Sequence, residues 1–153
     1  VAHMKNPNIP AIHFNTRFVI TSKRWFGGGM DVTPSKKDFN EKKFVHENLK
    51  YVCNNNKKNY KNYKKWCDDY FYIKHLGETR GIGGIFFDYL YKDWVKNFKF
   101  IRDVGICFVD ITKTIVEKKK QMDQGIYRGI TYKTSSKKQP KDKRKKIYRG
   151  QMQ

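Results

Sequence analysis

Apolar and polar positions alternate between Ile12 and Ile20. Ile12, Phe14, Phe18 and Ile20 fill one phase, and His13, Asn15 and Arg17 fill the other. Successive side chains of a β-strand point to opposite faces, with neighbours on one face about 6.8 Å apart. The segment therefore predicts a strand with one apolar face and one polar row. After residues 21–24 comes Trp25-Phe26-Gly27-Gly28-Gly29-Met30-Asp31. Three glycines weaken a β-like stretch unless something must approach its backbone closely, and an acid follows them. The alternative for the whole stretch is a solvated strand face joined to a glycine-rich hairpin.

The period then becomes helical. Thr33-Pro34-Ser35 predicts a turn, and Ser35 with Asp38 has the spacing of a helix capping box. A helix is expected over about 37–53, with Val45, Leu49 and Val52 on one stripe and His46 beside it, ended by Asn54-Asn55-Asn56. A second helix over about 60–74 aligns Tyr60, Tyr63, Cys67, Tyr70, Phe71 and Lys74, with Trp66 at the flank and Asp68 and Asp69 elsewhere. Such an aromatic stripe reads as core packing before a cofactor box. His75 would close this helix, where a cationic imidazole suits the negative end of the dipole. Arg80-Gly81-Ile82-Gly83-Gly84-Ile85-Phe86-Phe87-Asp88 reads as an arginine at the mouth of a glycine-lined strand, with 85–87 buried. No Lys-Ser/Thr follows these glycines, and their order is wrong for a dinucleotide fingerprint. Ile101, Val104, Phe108, Ile111 and Ile115 predict a long amphipathic helix over about 93–120, with Lys118, Lys119 and Lys120 at its negative end.

Length changes the picture little: 153 residues, 16% of them aromatic, make one domain with material for a core. No run approaches a membrane span. The start, Val1-Ala2-His3, has neither a leader pattern nor an initiator Met, so the expectation is a chain that begins inside a longer one. Cys53, Cys67 and Cys107 are odd in number and widely spaced. They read as structural thiols in a reducing, cytoplasmic compartment rather than a disulfide or zinc site. The net charge of +20 raises nucleic acid as a partner. However, residues 118–153 hold 13 Lys/Arg against 2 Asp/Glu, more than half of that excess. This tail has no apolar periodicity to offset its ordering entropy and is expected to be disordered.

The polar row carries the candidate chemistry. A plain solvent face would more often hold Lys, Glu and Thr. Histidine, asparagine and arginine together offer a titratable donor, a neutral hydrogen-bonder and a bidentate carboxylate clamp, which suits an anionic ligand. His3, His13, His46 and His75 share no helical turn and no two-residue strand spacing. A metal site would need them to converge in space, so individual polar or catalytic roles are favoured over a divalent metal.

Taken in order, these strings resemble a known family. His3…Asn6-Pro7…Pro10…His13-Phe14-Asn15-Thr16-Arg17-Phe18, Trp25-Phe26-Gly27-Gly28-Gly29…Asp31-Val32-Thr33-Pro34, Lys64-Lys65-Trp66-Cys67-Asp68-Asp69-Tyr70-Phe71 and the Arg80–Asp88 run look like oxygen-dependent coproporphyrinogen III oxidase over residues 1–120. The resemblance implies an α+β fold, part of a flat antiparallel β-sheet flanked by helices on both faces, in a homodimer. It implies oxidative decarboxylation of the ring A and B propionates of coproporphyrinogen III to vinyl groups, giving protoporphyrinogen IX in haem biosynthesis. Molecular oxygen is the acceptor and no organic cofactor is needed. By position, His13 matches a proton donor, Asn15 and Arg17 match substrate contacts, Asp31 matches a carboxylate that gathers pyrrole N–H groups, and Arg80 matches an arginine near the propionates. His3, His46 and His75 match histidines that some bacterial members are described as using for a metal.

Two departures stand out. The family begins well upstream of Val1, and beyond its long helix it continues with an Arg-rich strand and an Asp-Arg-Gly-Thr loop. From about Gln121 those motifs are absent here, with only faint echoes in Tyr127-Arg128-Gly129 and Tyr148-Arg149-Gly150. Residues 1–120 thus read as a partial oxidase domain and 121–153 as a basic tail unlike the family, as a truncation or frame shift would leave. The alternative function is a non-enzymatic basic protein that binds nucleic acid or anionic surfaces non-specifically through that tail.

Overall fold

The computed structural model describes Met4, residues 6–120 and the backbone of residues 124–127 and 130–133. The alternating segment forms β1 (Ala11–Ile20) and the glycine-rich one forms β2 (Arg24–Thr33). They pair antiparallel, from Ala11 opposite Thr33 to Ile20 opposite Arg24. Parity therefore carries across the pair. Ile12, Phe14 and Phe18 lie beside Val32, Met30 and Phe26, whereas His13, Asn15 and Arg17 lie beside Asp31, Gly29 and Gly27. Strand β5 (Gly83–Leu90) joins the other edge of β2, giving the order β1-β2-β5, with Ile85 beside Met30 and Phe87 beside Gly28.

The apolar face is the core. Met30, Val32, Ile85 and Phe87 are each at most 1% exposed. They cluster with Val45 and Leu49 of helix α1 (Phe39–Asn55) and with Phe100, Val104, Ile111 and Ile115 of helix α3 (Trp94–Lys120). Phe14 stacks on Phe108 at 5.6 Å, and Phe87 meets Phe100 at 4.9 Å. Burying one such ring contributes about 2–3 kcal/mol. Helix α2 (Tyr60–Tyr70) runs along β5. Its Tyr63 reaches Phe87 and Phe100 on the covered side, while Trp66 and Tyr70 reach Phe86 on the other. The expected α+β class and antiparallel sheet are present. The helices, however, lie two on one face and one along the β5 edge among the described residues. The aromatic residues of α2 point two ways, so the helix closes the edge and leaves the polar row open.

Three local expectations are corrected. Helix α1 starts at Phe39 with Asp38 as its cap, accepting from the Asn40 and Glu41 N–H groups at 2.7 and 3.1 Å. Ser35 instead donates to the Pro7 carbonyl at 2.5 Å. A carboxylate adjoining the helix is the better acceptor and suits the positive dipole end. The second helix stops at Tyr70, because β3 (Tyr72–Ile73) pairs with β4 (Glu78–Thr79) around a turn where Gly77 takes φ 65°. Glycine accepts that left-handed backbone freely, letting its N–H close on the Ile73 carbonyl at 3.0 Å. His75 is thus exposed in a turn and caps no helix.

The far end of α3 is pinned more firmly than a dipole would require. Lys119 Nζ lies 2.5 Å from the buried Glu41 carboxylate and donates to the Asn8 carbonyl, while Asn6 caps the Lys119 carbonyl at 3.2 Å. All three cysteines are buried and free. Among the described residues no helix is long and apolar enough to cross a membrane. In the basic tail, β6 (Gln124–Tyr127) pairs with β7 (Ile130–Lys133). The rest of 121–153 lies outside the described residues.

Candidate functional site

Three cross-strand rows build the open face. His13 stands opposite Asp31, which stands opposite Gly84; Asn15, Gly29 and Phe86 form the next row. In the third, Arg17 stands opposite Gly27, and Asp88 reaches over that glycine. The five residues singled out from the sequence, His13, Asn15, Arg17, Asp31 and Arg80, line one open cleft of about 700 Å³ with Tyr70, Phe71, Phe86 and Asp88.

Asp31 is the buried acid of this cleft, 8% exposed. Arg80 Nη2 donates to its Oδ2 at 2.8 Å, and His13 Nδ1 lies 3.4 Å from the same oxygen. Neither contact uses Oδ1. Arg80 is itself held flat, its guanidinium 3.9 Å above the Phe71 ring, with a buried Nε that has no protein partner. An arginine stacked on an aromatic and bound by one corner keeps a fixed direction and spare N–H groups.

Arg17 is held by a second acid. Its Nε and Nη2 donate to Asp88 Oδ1 and Oδ2 at 2.9 and 2.6 Å, its Nη1 donates to Asn15 Oδ1 at 3.2 Å, and it lies 5.1 Å from the Phe86 ring centre. The hydrogen bond to Asp88 raises the Arg17 pKa further above its ordinary value. The glycine run serves this pair directly. A Cβ at Gly27 would overlap Asp88 Oδ1 and come within 3.0 Å of Arg17 Nε. Read from the sequence, the run left room for a ligand; at Gly27 that room holds an ion pair.

Asp88, Phe86, Phe71 and Tyr70 were missed as cleft residues. The sequence reads Phe86 as part of a buried 85–87 stretch, yet it faces the cleft while Ile85 and Phe87 face the core. Strand parity was a usable signal, since 84, 86 and 88 must share a face. The partner of Asp88 was not readable, because it depends on pairing across β2 and on a register shift. Phe26 faces Leu90 while Gly28 faces Phe87, so Asp88 and Tyr89 together oppose Gly27.

The other histidines do not converge on the cleft. His46 lies between α1, α2 and the loop before β5, its Nε2 2.8 Å from the Ile82 carbonyl and its Nδ1 2.8 Å from the Tyr60 hydroxyl. Burial lowers its pKa, against the opposing hydrogen bond to the Ile82 carbonyl, with Lys64 and Lys42 reinforcing the burial and Asp68 opposing it. Both ring nitrogens are engaged, which does not suit a metal ligand. His75 is in the β3–β4 turn, and His3 lies outside the described residues. Among the described residues no three His, Cys, Asp or Glu side chains group as a metal would require. Cys67, on the α2 face toward Asp31, has its thiol pushed up to about 12 by burial and is a packing residue.

The family model for coproporphyrinogen III oxidase matches residues 1–131. The chain belongs to this family. It is 47% identical over 121 residues to the oxygen-dependent coproporphyrinogen-III oxidase of Rickettsia akari (strain Hartford), covering 78% of this chain and 43% of that one. It is 48% identical to the protein of the same name from Rickettsia rickettsii (strain Sheila Smith) and 46% identical to that of Rickettsia bellii (strain OSU 85-389), with the same coverage. The chain thus spans less than half the length of these curated relatives, and the matched part holds the whole cleft described above.

Proposed function

We propose that this chain supplies the central part of the substrate cleft of an oxygen-dependent coproporphyrinogen III oxidase. The observation that carries the reading is Asp31: a buried carboxylate, fixed through Oδ2 by Arg80 and faced by His13, on an open cleft that also presents Arg17. A macrocycle with four propionates and inward pyrrole N–H groups is complementary to such a set. Asp31 Oδ1 accepts from the pyrrole N–H groups, while Arg17 and Arg80 meet carboxylates with their remaining N–H bonds. Asn15 is a neutral contact between them.

Each propionate carboxylate leaves as CO2, with a proton and two electrons released as the vinyl group forms. Oxygen takes the electrons and, with one further proton, becomes hydrogen peroxide. Asp31 raises the electron density of the pyrroles it binds and stabilises the positive charge that grows as electrons leave. Two unit charges about 4 Å apart interact by ~4 kcal/mol at an effective dielectric near 20. His13 is the titratable group placed to supply the further proton. The protein's part is to bind, orient and polarise, and the reading assigns no step to a metal or an organic cofactor. A homodimer and a reducing, cytoplasmic setting go with it, and the three buried free thiols fit that setting.

The test is direct. A chain extended to the length of its relatives, supplied with coproporphyrinogen III and oxygen, is expected to release CO2 and yield protoporphyrinogen IX. An oxygen-independent product, or none, would reject the reading.

A further inference from the structure

Asp88 has the wrong sign for a cleft that takes carboxylates. If the site needed only positive charge, an acid 2.6 Å from Arg17 would weaken it. Yet the local structure is arranged to keep that acid there. Gly27 leaves the gap in which the pair sits. A β-bulge places Asp88 and Tyr89 together opposite that glycine, and Tyr89 adopts φ 59°, a conformation costing a non-glycine residue about 1 kcal/mol. Of the five N–H bonds of Arg17, two go to Asp88 and one to Asn15, leaving two on Nη1 and Nη2. Held at one edge by a bidentate carboxylate and lying over Phe86, the guanidinium has one direction left in which to donate.

We propose that Asp88 is a positioning residue for substrate: it locks Arg17 so that the two remaining N–H bonds meet one carboxylate of the porphyrinogen in a fixed orientation. This rests on the porphyrinogen reading above. Charge and positioning predict opposite signs, which makes the proposal testable in the 153-residue chain. The wild type and Asp88→Asn are titrated with coproporphyrin III, which has four propionates, and with a porphyrin carrying two, following quenching of Trp25 and Trp66 fluorescence. Positioning predicts roughly tenfold weaker binding of coproporphyrin III by Asp88→Asn, the size of one lost charge-assisted hydrogen bond, and a smaller preference over the two-propionate porphyrin. In an Arg17→Ala background the same substitution is expected to change nothing. A merely structural role would lower the melting temperature without this dependence on Arg17. Tighter or unchanged binding by Asp88→Asn overturns the proposal.

A second readout needs no ligand. The Arg17 Nε–H resonance in 15N-resolved NMR is expected to be sharp and slowly exchanging in the wild type and to broaden in Asp88→Asn; an unchanged resonance also overturns the lock. A wild-type chain that binds neither porphyrin counts against the porphyrinogen reading, while the Nε signal still decides whether Asp88 fixes Arg17.

Discussion

On the covered face of the sheet, Met30, Ile85 and Phe87 lie in a dry core against α1 and α3. One residue along on the same strands, Asp31, Phe86 and Asp88 line an open cleft. The backbone is shared and only parity separates the two sets. On the covered face what counts is apolar area and volume, so a similar side chain can stand in for another at modest cost. On the open face each charged group has a particular partner at a particular distance, and both charged rows depend on a residue from outside the β1–β2 pair. Arg80 comes from the loop before β5 and Asp88 from beyond Phe87. The covered face governs whether the chain folds, and the open face governs what the folded chain can hold.

The largest expected effect lies on the covered face. Phe87→Ala removes a fully buried ring that touches Tyr63 and Phe100, and is expected to lower stability by about 3–5 kcal/mol in urea unfolding. A loss below 1 kcal/mol would show that this face is not the main core. On the open face, Asp31→Asn keeps the shape but removes the charge and turns one of the two acceptor oxygens into a donor, so Arg80 and the pyrroles can no longer both be met. In a chain of full family length, turnover is expected to fall by about 10²–10³-fold, while the circular dichroism spectrum is retained. A near-wild-type rate would reduce Asp31 to a structural partner of Arg80.

His46, between α1, α2 and the loop before β5, sharpens the contrast from the packed side. His46 is half-buried, and that desolvation puts its folded pKa below its unfolded value of about 6.5. In that window the unfolded chain binds more protons. Stability from this group is therefore complete above about pH 6.5 and falls on acidification, by up to about 1.4 kcal/mol per pH unit until the folded pKa is reached. The difference in urea midpoint between wild type and His46→Phe is expected to change with pH over that range. A pH-independent difference would show that the imidazole is not held neutral by the fold.

Strand β1 and its polar row were legible because period-2 alternation is local, and helix α3 because its apolar stripe from Ile101 to Ile115 repeats over about four turns. The ends of α2 and the role of His75 were not. Tyr70 to Lys74 continues the helical stripe, but the hairpin closed by Gly77 takes the same residues, and the Arg80 N–H bonds back to the Phe71 carbonyl across its base at 3.0 Å. Five cleft residues could be named from the sequence, partly through family resemblance. Parity offers Asp88 as a sixth, but not its partner, since nothing near Phe87 indicates that a β-bulge and a glycine on the neighbouring strand will bring it to Arg17.

The most direct test of the division between the faces is to map coproporphyrin III onto the isotopically labelled chain by amide chemical-shift changes. The account predicts the largest changes at Asn15, Arg17, Gly27, Gly29, Asp31 and Phe86, with little change along α3. Changes confined to residues 134–153, or spread along α3 with the Gly27 and Gly29 amides unmoved, would contradict it.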